Sequence, residues 1–185
     1  MKELSLNILD IVQNSVKAGA TRIDILITEK PAEDYLAIEI IDNGCGMDAE
    51  FLARVTDPFT TTRTTRKVGL GIPFFKMAAE STGGDFTITS QPGKGTRVKA
   101  TFGYHHIDRM PMGDLVSTIT LLIQGNPEID FVYTHEYEDR KLEFSCHEVR
   151  EQLGDQIPLN EPAVLDWIRG YLQEQTNLIT GGTEL

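Results

Sequence analysis

Hydrophobic residues near the start of the chain recur every three or four positions, which is the spacing of one face of an α-helix. They occupy one side of residues 4–18, and Gly19 ends the run. Residues 22–28 and 35–41 instead alternate apolar and polar side chains, as strands with one buried face do. The pattern therefore predicts an amphipathic helix followed by a β-hairpin.

The pattern weakens over residues 44–68, where glycine and threonine are frequent, and we expect a loop there. A helix is predicted to begin near Pro73 and to end at the glycine pair 83–84, because proline suits the first turn of a helix and glycine its end. Two further strands are predicted over residues 86–90 and 97–102. This order of elements favours an α+β fold, a two-layer α/β sandwich with helices on one face of the sheet.

The last part of the chain is predicted to form a small α/β extension. We expect a helix over residues 114–124, a hairpin over residues 129–146 and a last helix that begins at Glu161 with Asn160 as its cap. Aromatic residues alternate along this hairpin, a pattern that would serve either to pack it onto the protein or to dock a partner. We expect the hairpin to pack onto the protein.

The two parts of the chain differ in charge, which supports a boundary near residue 104. Residues 1–104 contain 12 Lys and Arg against 13 Asp and Glu, whereas residues 105–185 contain 5 against 15. We therefore expect a first domain, residues 1–104, and an acidic helix–hairpin–helix extension of unknown role. Non-specific binding to nucleic acid requires basic residues that neutralise phosphates, so this charge argues against a nucleic-acid-binding protein.

The chain also lacks the sequence features of export and of membrane insertion. No apolar run approaches the ~18 residues that a membrane span requires, and the first residues lack a secretory signal's basic-then-apolar pattern. Cys45 and Cys146 lie far apart and form no Cys-x-x-Cys pair, which indicates neither a zinc site nor a disulfide framework. We expect a cytoplasmic protein that does not contact membranes.

Four polar residues of the first predicted helix follow one another at steps of three, four and three positions: Asn7, Asp10, Asn14 and Lys17. This spacing places them on one side of the helix, opposite the apolar side. Such a polar stripe is usually only the solvated face of a helix. The alternative, a binding face, depends on the motifs that follow.

An acidic residue and two glycines come at the end of the second predicted strand, in the segment Asp42, Asn43, Gly44, Cys45, Gly46, Met47. Glycine lets the backbone approach a flat ligand closely, and a carboxylate can accept a hydrogen bond from an amino group. Because Asn-Gly is also a common turn dipeptide, an ordinary turn is the alternative.

A segment rich in threonine and basic residues, 60–68, precedes Gly69, Leu70 and Gly71 at the start of the helix near Pro73. Backbone amides of a glycine-rich turn at a helix N-terminus bind anions, and nearby cations strengthen such a site. The segment therefore predicts contacts with phosphate, although an exposed Thr/Arg loop alone would indicate little more than flexibility.

Taken in order, these motifs resemble those of the GHKL superfamily of ATPases and kinases, whose ATP-binding domain is the Bergerat fold. Residues 10–20 resemble its N box, 42–47 its first glycine box, 57–59 its phenylalanine box, 68–72 its second glycine box and 92–96 its closing glycine–threonine turn. The second half is most similar to histidine-kinase catalytic domains. The start resembles the mismatch-repair ATPases.

The resemblance implies that the protein binds ATP and Mg²⁺, with Asn14 as the magnesium ligand and Asp42 as the acceptor for the adenine amino group. Residues 60–68 would form a mobile lid over the nucleotide. The full set of implied nucleotide-binding residues is Asn14, Lys17, Asp42, Gly44, Gly46, Met47, Phe59, Thr60, Arg63, Arg66, Lys67, Gly69, Leu70, Gly71 and Thr96.

One residue departs from the pattern of the hydrolases in this superfamily. Their general base is usually a Glu four residues before the magnesium-binding Asn, whereas this chain has Asp10 there. Asp is shorter by one methylene, so its reach to an attacking water differs. Asp10 is nevertheless the predicted catalytic residue.

Two functions are consistent with these features. The first is a stand-alone protein kinase of the histidine-kinase or anti-sigma serine-kinase type, or an ATPase, acting in bacterial signalling on a separate protein partner. The second is a nucleotide-gated interaction switch without phosphoryl transfer. No segment before the first helix resembles a phosphoacceptor hairpin, and the four histidines all follow residue 104 in positions unlike a phosphorylation site. The sequence leaves open whether the protein forms a homodimer.

Overall fold

The computed structural model of the chain describes residues 3–57, 69–154 and 156–182. The helices in this part are α1 (Leu4–Lys17), α2 (Ala49–Val55), α3 (Gly71–Glu80), α4 (Leu115–Gly125), α5 (Cys146–Leu153) and α6 (Pro162–Thr180). The strands are β1 (Arg22–Lys30), β2 (Tyr35–Asp42), β3 (Phe86–Gln91), β4 (Gly95–Gly103), β5 (Asp130–Tyr137) and β6 (Arg140–Ser145). The α+β prediction is confirmed.

The six strands form one sheet in the order β3-β4-β2-β1-β5-β6. Neighbouring strands are antiparallel, except that β1 and β5 are parallel. A parallel pair needs a long crossover connection. The C-terminal hairpin of β5 and β6 extends the sheet at the edge that β1 would otherwise expose. This hairpin is packed within the protein, as expected, and continues the sheet of the preceding region.

One face of the sheet carries the core. Ile23, Ile25 and Ile27 of β1 are fully buried and alternate with partly exposed residues, as the two-residue period of a strand requires. Helix α1 packs its apolar side here, together with α3 and α4. A single cluster of buried side chains runs from Leu4 to Ile179, so the N-terminal and C-terminal regions share one core.

Two helices were not predicted. Helix α2 lies where a loop was expected, and Asp48 caps it by accepting a hydrogen bond from the backbone N–H of Phe51 at 2.7 Å. Helix α5 follows β6 directly, with Ser145 as its cap. Both helices are too short to show a repeated apolar spacing, so only their capping residues could have indicated them.

Two predicted helix starts were wrong by a residue or two. Helix α3 begins at Gly71 rather than near Pro73. Helix α6 is capped at Glu161 and begins at Pro162, so Asn160 is not its cap. Proline at the first helical position costs no hydrogen bond, because that N–H has no partner within the helix.

The segment before α4 holds the N-terminus of α1. Pro111 and Met112 accept hydrogen bonds from the backbone N–H groups of Leu4 and Ser5, at 3.0 and 2.8 Å. These are donors that a helix leaves unpaired at its start. The helix that carries the predicted polar stripe is therefore tied to the C-terminal region as well as to the sheet.

Among the described residues, no helix combines the length and the apolar character needed to cross a membrane.

Candidate functional site

A cavity of about 460 Å³ opens between α1, α2, the start of α3, the end of β2 and the start of β4. Its size is that of a site for a nucleotide or another small molecule. Most of its wall is apolar. The apolar lining residues are Ile11, Ala18, Met47, Phe51, Val55, Ile72 and Val98, and the polar ones are Asn14, Ser15, Lys17, Asp42 and Thr96, with Cys45 and Gly46 at the loop.

Asp42 is the buried carboxylate of this cavity, with 8% of the residue exposed. The Ser15 hydroxyl donates a hydrogen bond to Asp42 Oδ2 at 2.5 Å, and the Gly44 N–H donates one to Oδ1 at 2.9 Å. Each carboxylate oxygen can accept a second hydrogen bond. Asp42 is therefore both fixed in position and able to bind an amino group of a ligand.

The glycine loop after β2 packs tightly against the turn between β3 and β4. Gly46 has a φ of +67°, and a Cβ added there would lie 1.9 Å from the carbonyl oxygen of Gln91. The Met47 N–H donates to Ser90 Oγ at 2.8 Å, and Ser90 Oγ lies 2.9 Å from Thr96 Oγ1. The Ser90 hydroxyl therefore holds Met47 and Thr96 at the cavity wall.

The polar stripe of α1 divides into parts with different surroundings. Asn14 is half-buried and Lys17 is exposed, and both line the cavity. Asp10 is exposed and lies against the start of α3, where its Oδ2 would be 3.4 Å from a Cβ added to Gly71. Asn7 is buried instead, and its side-chain atoms have no hydrogen-bond partner among the described residues. Asn7 therefore does not belong to the solvated stripe.

A family model described as histidine kinase-, DNA gyrase B-, and HSP90-like ATPase matches residues 2–105. The chain belongs to this ATPase family. The match covers the elements from α1 to β4, which surround the cavity, and ends before α4. The GHKL resemblance is thereby confirmed.

Sensor kinases are among the relatives of this ATPase domain. Signal transduction histidine-protein kinase AtoS of Escherichia coli K12 is 36% identical over 96 residues, which are 51% of this chain and 15% of AtoS. Sensor protein kinase FleS of Pseudomonas aeruginosa is 36% identical over 89 residues, 48% of this chain and 22% of FleS. The chain spans 15 to 16% of the length of the first curated relatives that it matches.

The fold of the ATPase domain also occurs among solved structures. The Aquifex aeolicus MutL ATPase domain complexed with ADP aligns with a TM-score of 0.53 and 16% identity, over 83% of this chain and 68% of that one. The N-terminal domain of a DNA repair protein aligns with a TM-score of 0.55 and 18% identity, over 78% of this chain and 53% of that one. At 16 and 18% sequence identity, these two alignments show a shared fold and nothing more.

Several predicted site residues of the ATPase domain are not at the cavity wall. Gly69 and Leu70 are exposed at the start of α3, and Gly44 lies against Ala18 rather than in the lining. The predicted lid, residues 60–68, lies outside the described residues. So do the predicted contacts Phe59, Thr60, Arg63, Arg66 and Lys67.

The residues predicted from the sequence omit several contributors to the ATPase domain's cavity, and Ser15, Ser90, Phe51 and Val55 are among them. Ser15 directly follows Asn14, and its helical position turns it towards Asp42. Ser90 joins the two loops by its hydroxyl. Phe51 and Val55 come from α2, the helix that was not predicted. A serine beside the N-box asparagine was a readable signal, whereas the role of Ser90 depends on strand pairing between distant segments.

Proposed function

We propose that this chain binds ATP with magnesium in the α1–β2 cavity and uses it in bacterial signalling, as a histidine-kinase-like protein kinase or an ATPase that acts on a separate protein. The observation that carries the proposal is Asp42, a buried carboxylate with two internal donors at the end of an apolar cavity. An adenine ring fits such a site, because its faces are apolar and its amino group can donate to the carboxylate. Thr96 and Gly46 would lie beside the base.

Magnesium is implied by the family, and the residues present fit it. Asn14 lines the cavity and makes no side-chain hydrogen bond to the described residues, so its amide oxygen is available as a ligand. No group of three or more His, Cys, Asp or Glu side chains suited to a metal occurs in the described ranges. We therefore propose that Asn14 holds Mg²⁺ together with phosphate oxygens and water, which is the hard-oxygen environment that this ion prefers. When bound, the ion would neutralise developing charge on the phosphates.

The phosphate end of the nucleotide would lie towards the start of α3. Lys17 is exposed at the cavity mouth, and Gly71 opens α3, whose N-terminal amides can bind an anion. We propose that Lys17, the amides of Leu70 and Gly71 and the basic residues Arg63, Arg66 and Lys67 contact the phosphates. Asp10, which lies against Gly71, would accept the proton of an attacking water or hydroxyl.

An exposed apolar row on α3 supports a protein partner. Leu70, Phe74 and Met77 are 45%, 42% and 56% exposed and follow one another at helical spacing. The row begins beside Gly71 and Asp10, so a protein bound to it would be next to the proposed phosphate site.

We further propose a cytoplasmic setting, because both cysteines are free and Cys45 is exposed.

The second candidate function is a nucleotide-gated switch without phosphoryl transfer. The hydrogen bonds from Leu4 and Ser5 to the segment before α4 favour it, because they connect the helix of Asn14 to the C-terminal region. A shift of α1 on nucleotide binding would reach α4 through these bonds. Asp10 in place of the usual Glu is a second reason to consider this function.

Incubation with magnesium and ATP labelled at the γ-phosphate, together with the proteins that co-purify with the chain, separates these functions. Label on a protein indicates a kinase, release of free phosphate an ATPase, and neither, with retained binding, a switch. Asp10→Asn should keep ATP binding and reduce turnover at least about 100-fold if Asp10 is the general base. Asp139→Asn, an exposed residue of the β5–β6 turn, is the control and should leave turnover unchanged. If the purified protein is not stabilised by ATP at all, the proposal fails.

A further inference from the structure

Helix α6 has a second apolar face that is not part of the core. Leu165, Ile168 and Leu172 are buried against the protein, whereas Trp167 is 53% exposed. Ala163, Gly170 and Tyr171 share the side of Trp167 at helical spacing. We call these four residues the Trp167 face.

The Trp167 side chain is held in place before any partner binds. Its ring stacks on Tyr171, with centroids 5.5 Å apart and planes 14° apart. Tyr171 in turn contacts Phe144 of β6, with centroids 6.3 Å apart. A half-exposed aromatic side chain with little remaining freedom is typical of an anchor in a protein interface, because binding then costs little conformational entropy.

A groove continues the Trp167 face towards α5. It has a volume of about 380 Å³ and is lined by Val149, Gln152, Leu153, Ala163, Val164 and Trp167. At the other end of the face, a Cβ added to Gly170 would meet no atom of the described residues within 4 Å. Glycine inside a helix is destabilising relative to alanine. Nothing packed inside the described part of the chain requires this glycine, but the close approach of an external helix would.

The rim of this surface is acidic. Glu161, Asp166 and Glu174 of the α6 region are exposed, and Glu148 of α5 flanks Gln152. Arg169, the basic residue of α6, is near Asp114 at the start of α4 and not at this surface. The pKa of Asp114 is lowered by hydrogen bonds from Ser117 and, in smaller part, by the charge of Arg169. The field around the Trp167 face is therefore negative.

Basic residues near α5 are also occupied elsewhere. The Arg150 guanidinium donates to the carbonyl oxygens of Pro127 and Ile129, both at 2.7 Å. His147 lies 3.4 Å from Glu151 on the same helix. Neither side chain compensates the rim carboxylates.

We propose that the Trp167 face and the adjoining groove bind a basic amphipathic helix of a partner protein. An apolar row of that helix would pack on Trp167, Ala163 and Gly170, and flanking Lys or Arg residues would meet the acidic rim. Ala163 to Glu174 span about 16 Å at 1.5 Å per residue, so about three helical turns suffice. A second copy of this chain would bring like charges together, and the rim would repel an anionic membrane.

Trp167 is the single tryptophan of the chain, so its fluorescence reports on this surface directly. The probe is a Leu/Lys amphipathic peptide of about 15 residues, and the comparison peptide has Glu at every Lys position. We expect a saturable blue shift with the Leu/Lys peptide, weaker binding at higher salt, and no shift with the Leu/Glu peptide. Nucleotide binding is not required, so this test stands apart from the proposed ATPase function.

Gly170→Gln should weaken binding of the Leu/Lys peptide at least about tenfold, because the new side chain fills the contact surface. Gly125→Gln is the matched control: Gly125 is also an exposed helical glycine with no atom of the described residues within 4 Å of an added Cβ. It should leave the affinity unchanged, and circular dichroism should show both variants folded. The proposal is overturned by no shift, by equal binding of the Leu/Glu peptide, by self-association that Gly170→Gln abolishes, or by stronger binding to phosphatidylglycerol vesicles than to the peptide.

Discussion

At the scale of single residues, the proposed nucleotide site depends on side chains that hold other side chains in position. Asp42 accepts hydrogen bonds from Ser15 and from the Gly44 N–H, so its orientation is set before a ligand binds. That Asp42, Asn14 and Thr96 lie at one cavity could be predicted from motifs, because these residues belong to short contiguous patterns. The contribution of Ser90 could not be predicted in this way, because it arises where a strand meets a loop far away in the chain.

Ser15→Ala should weaken ATP binding about tenfold, since it removes a hydrogen bond to the carboxylate that we propose binds adenine and leaves the cavity otherwise intact. Isothermal titration calorimetry measures the change. Ser5→Ala is the matched control, because Ser5 is also buried on α1 but its hydroxyl contacts Glu3. Equal losses in both variants would mean that the effect comes from α1 in general and not from Asp42.

Gly46→Ala should destabilise the protein by several kcal/mol, because the new Cβ would lie 1.9 Å from a backbone oxygen that cannot move freely. Gly93→Ala serves as the comparison. Gly93 has a similar φ of +73°, but an added Cβ there meets no described atom within 4 Å. Its cost should be only the ~1–2 kcal/mol of left-handed backbone in a residue with a Cβ. Urea denaturation measures both, and similar costs would contradict the tight contact of Gly46 with Gln91.

At the scale of elements, helices and strands with a long, regular pattern were predictable. Helix α1 and strands β1 and β2 have enough residues for their period to show. Helices α2 and α5 are single short segments whose stability comes from their caps and their packing. The missed α2 matters for the proposed nucleotide site, because it supplies Phe51 and Val55 to the cavity wall.

Helix α4 offers a test of capping with a pH signature. Asp114 accepts hydrogen bonds from the Ser117 N–H at 2.9 Å and from the Ser117 hydroxyl at 2.6 Å, and these lower its pKa. A carboxyl with a lowered folded-state pKa stabilises the protein above its ordinary pKa of about 4 and loses that contribution as the pH falls further. Asp114→Ala should therefore cost about 1 kcal/mol at neutral pH.

The cost of Asp114→Ala should shrink as the pH falls below about 4, because Asp114 of the unchanged protein then loses its charge by protonation. Thermal denaturation at neutral and acidic pH measures the difference in midpoint between the variant and the unchanged protein. Glu128→Ala, at an exposed position beyond the end of α4, is the control. A difference between Asp114→Ala and the unchanged protein that grows at low pH would contradict the assigned sign.

At the scale of the whole molecule, one sheet joins the ATPase region to the C-terminal hairpin. The joining strands β1 and β5 carry a buried pair, Glu29 and His135, with His135 Nε2 at 2.7 Å from Glu29 Oε1. The Tyr133 hydroxyl lies 3.2 Å from His135 Nδ1, and burial raises the pKa of Tyr133. The sequence predicted a hairpin here but not its place beside β1, because strand order depends on contacts between distant segments.

His135→Leu should lower the free energy of unfolding by about 3–5 kcal/mol, since it leaves the Glu29 carboxylate buried without its partner. Adding Glu29→Leu should recover part of this loss. Lys141→Met, which breaks an exposed ion pair on the same hairpin, should barely move the urea midpoint. We expect one unfolding transition for the whole chain, and two separate transitions would contradict the shared core.

The central claim is that the cavity at Asp42 binds Mg-ATP. Calorimetric titration of the purified chain with ATP and magnesium tests it most directly, beside Asp42→Asn and a control variant, Asp85→Asn, at an exposed position away from the cavity. We predict saturable binding by the unchanged chain and by Asp85→Asn, and no measurable binding by Asp42→Asn with its fold retained. Absence of binding by the unchanged chain, or equal binding by Asp42→Asn, would contradict the account.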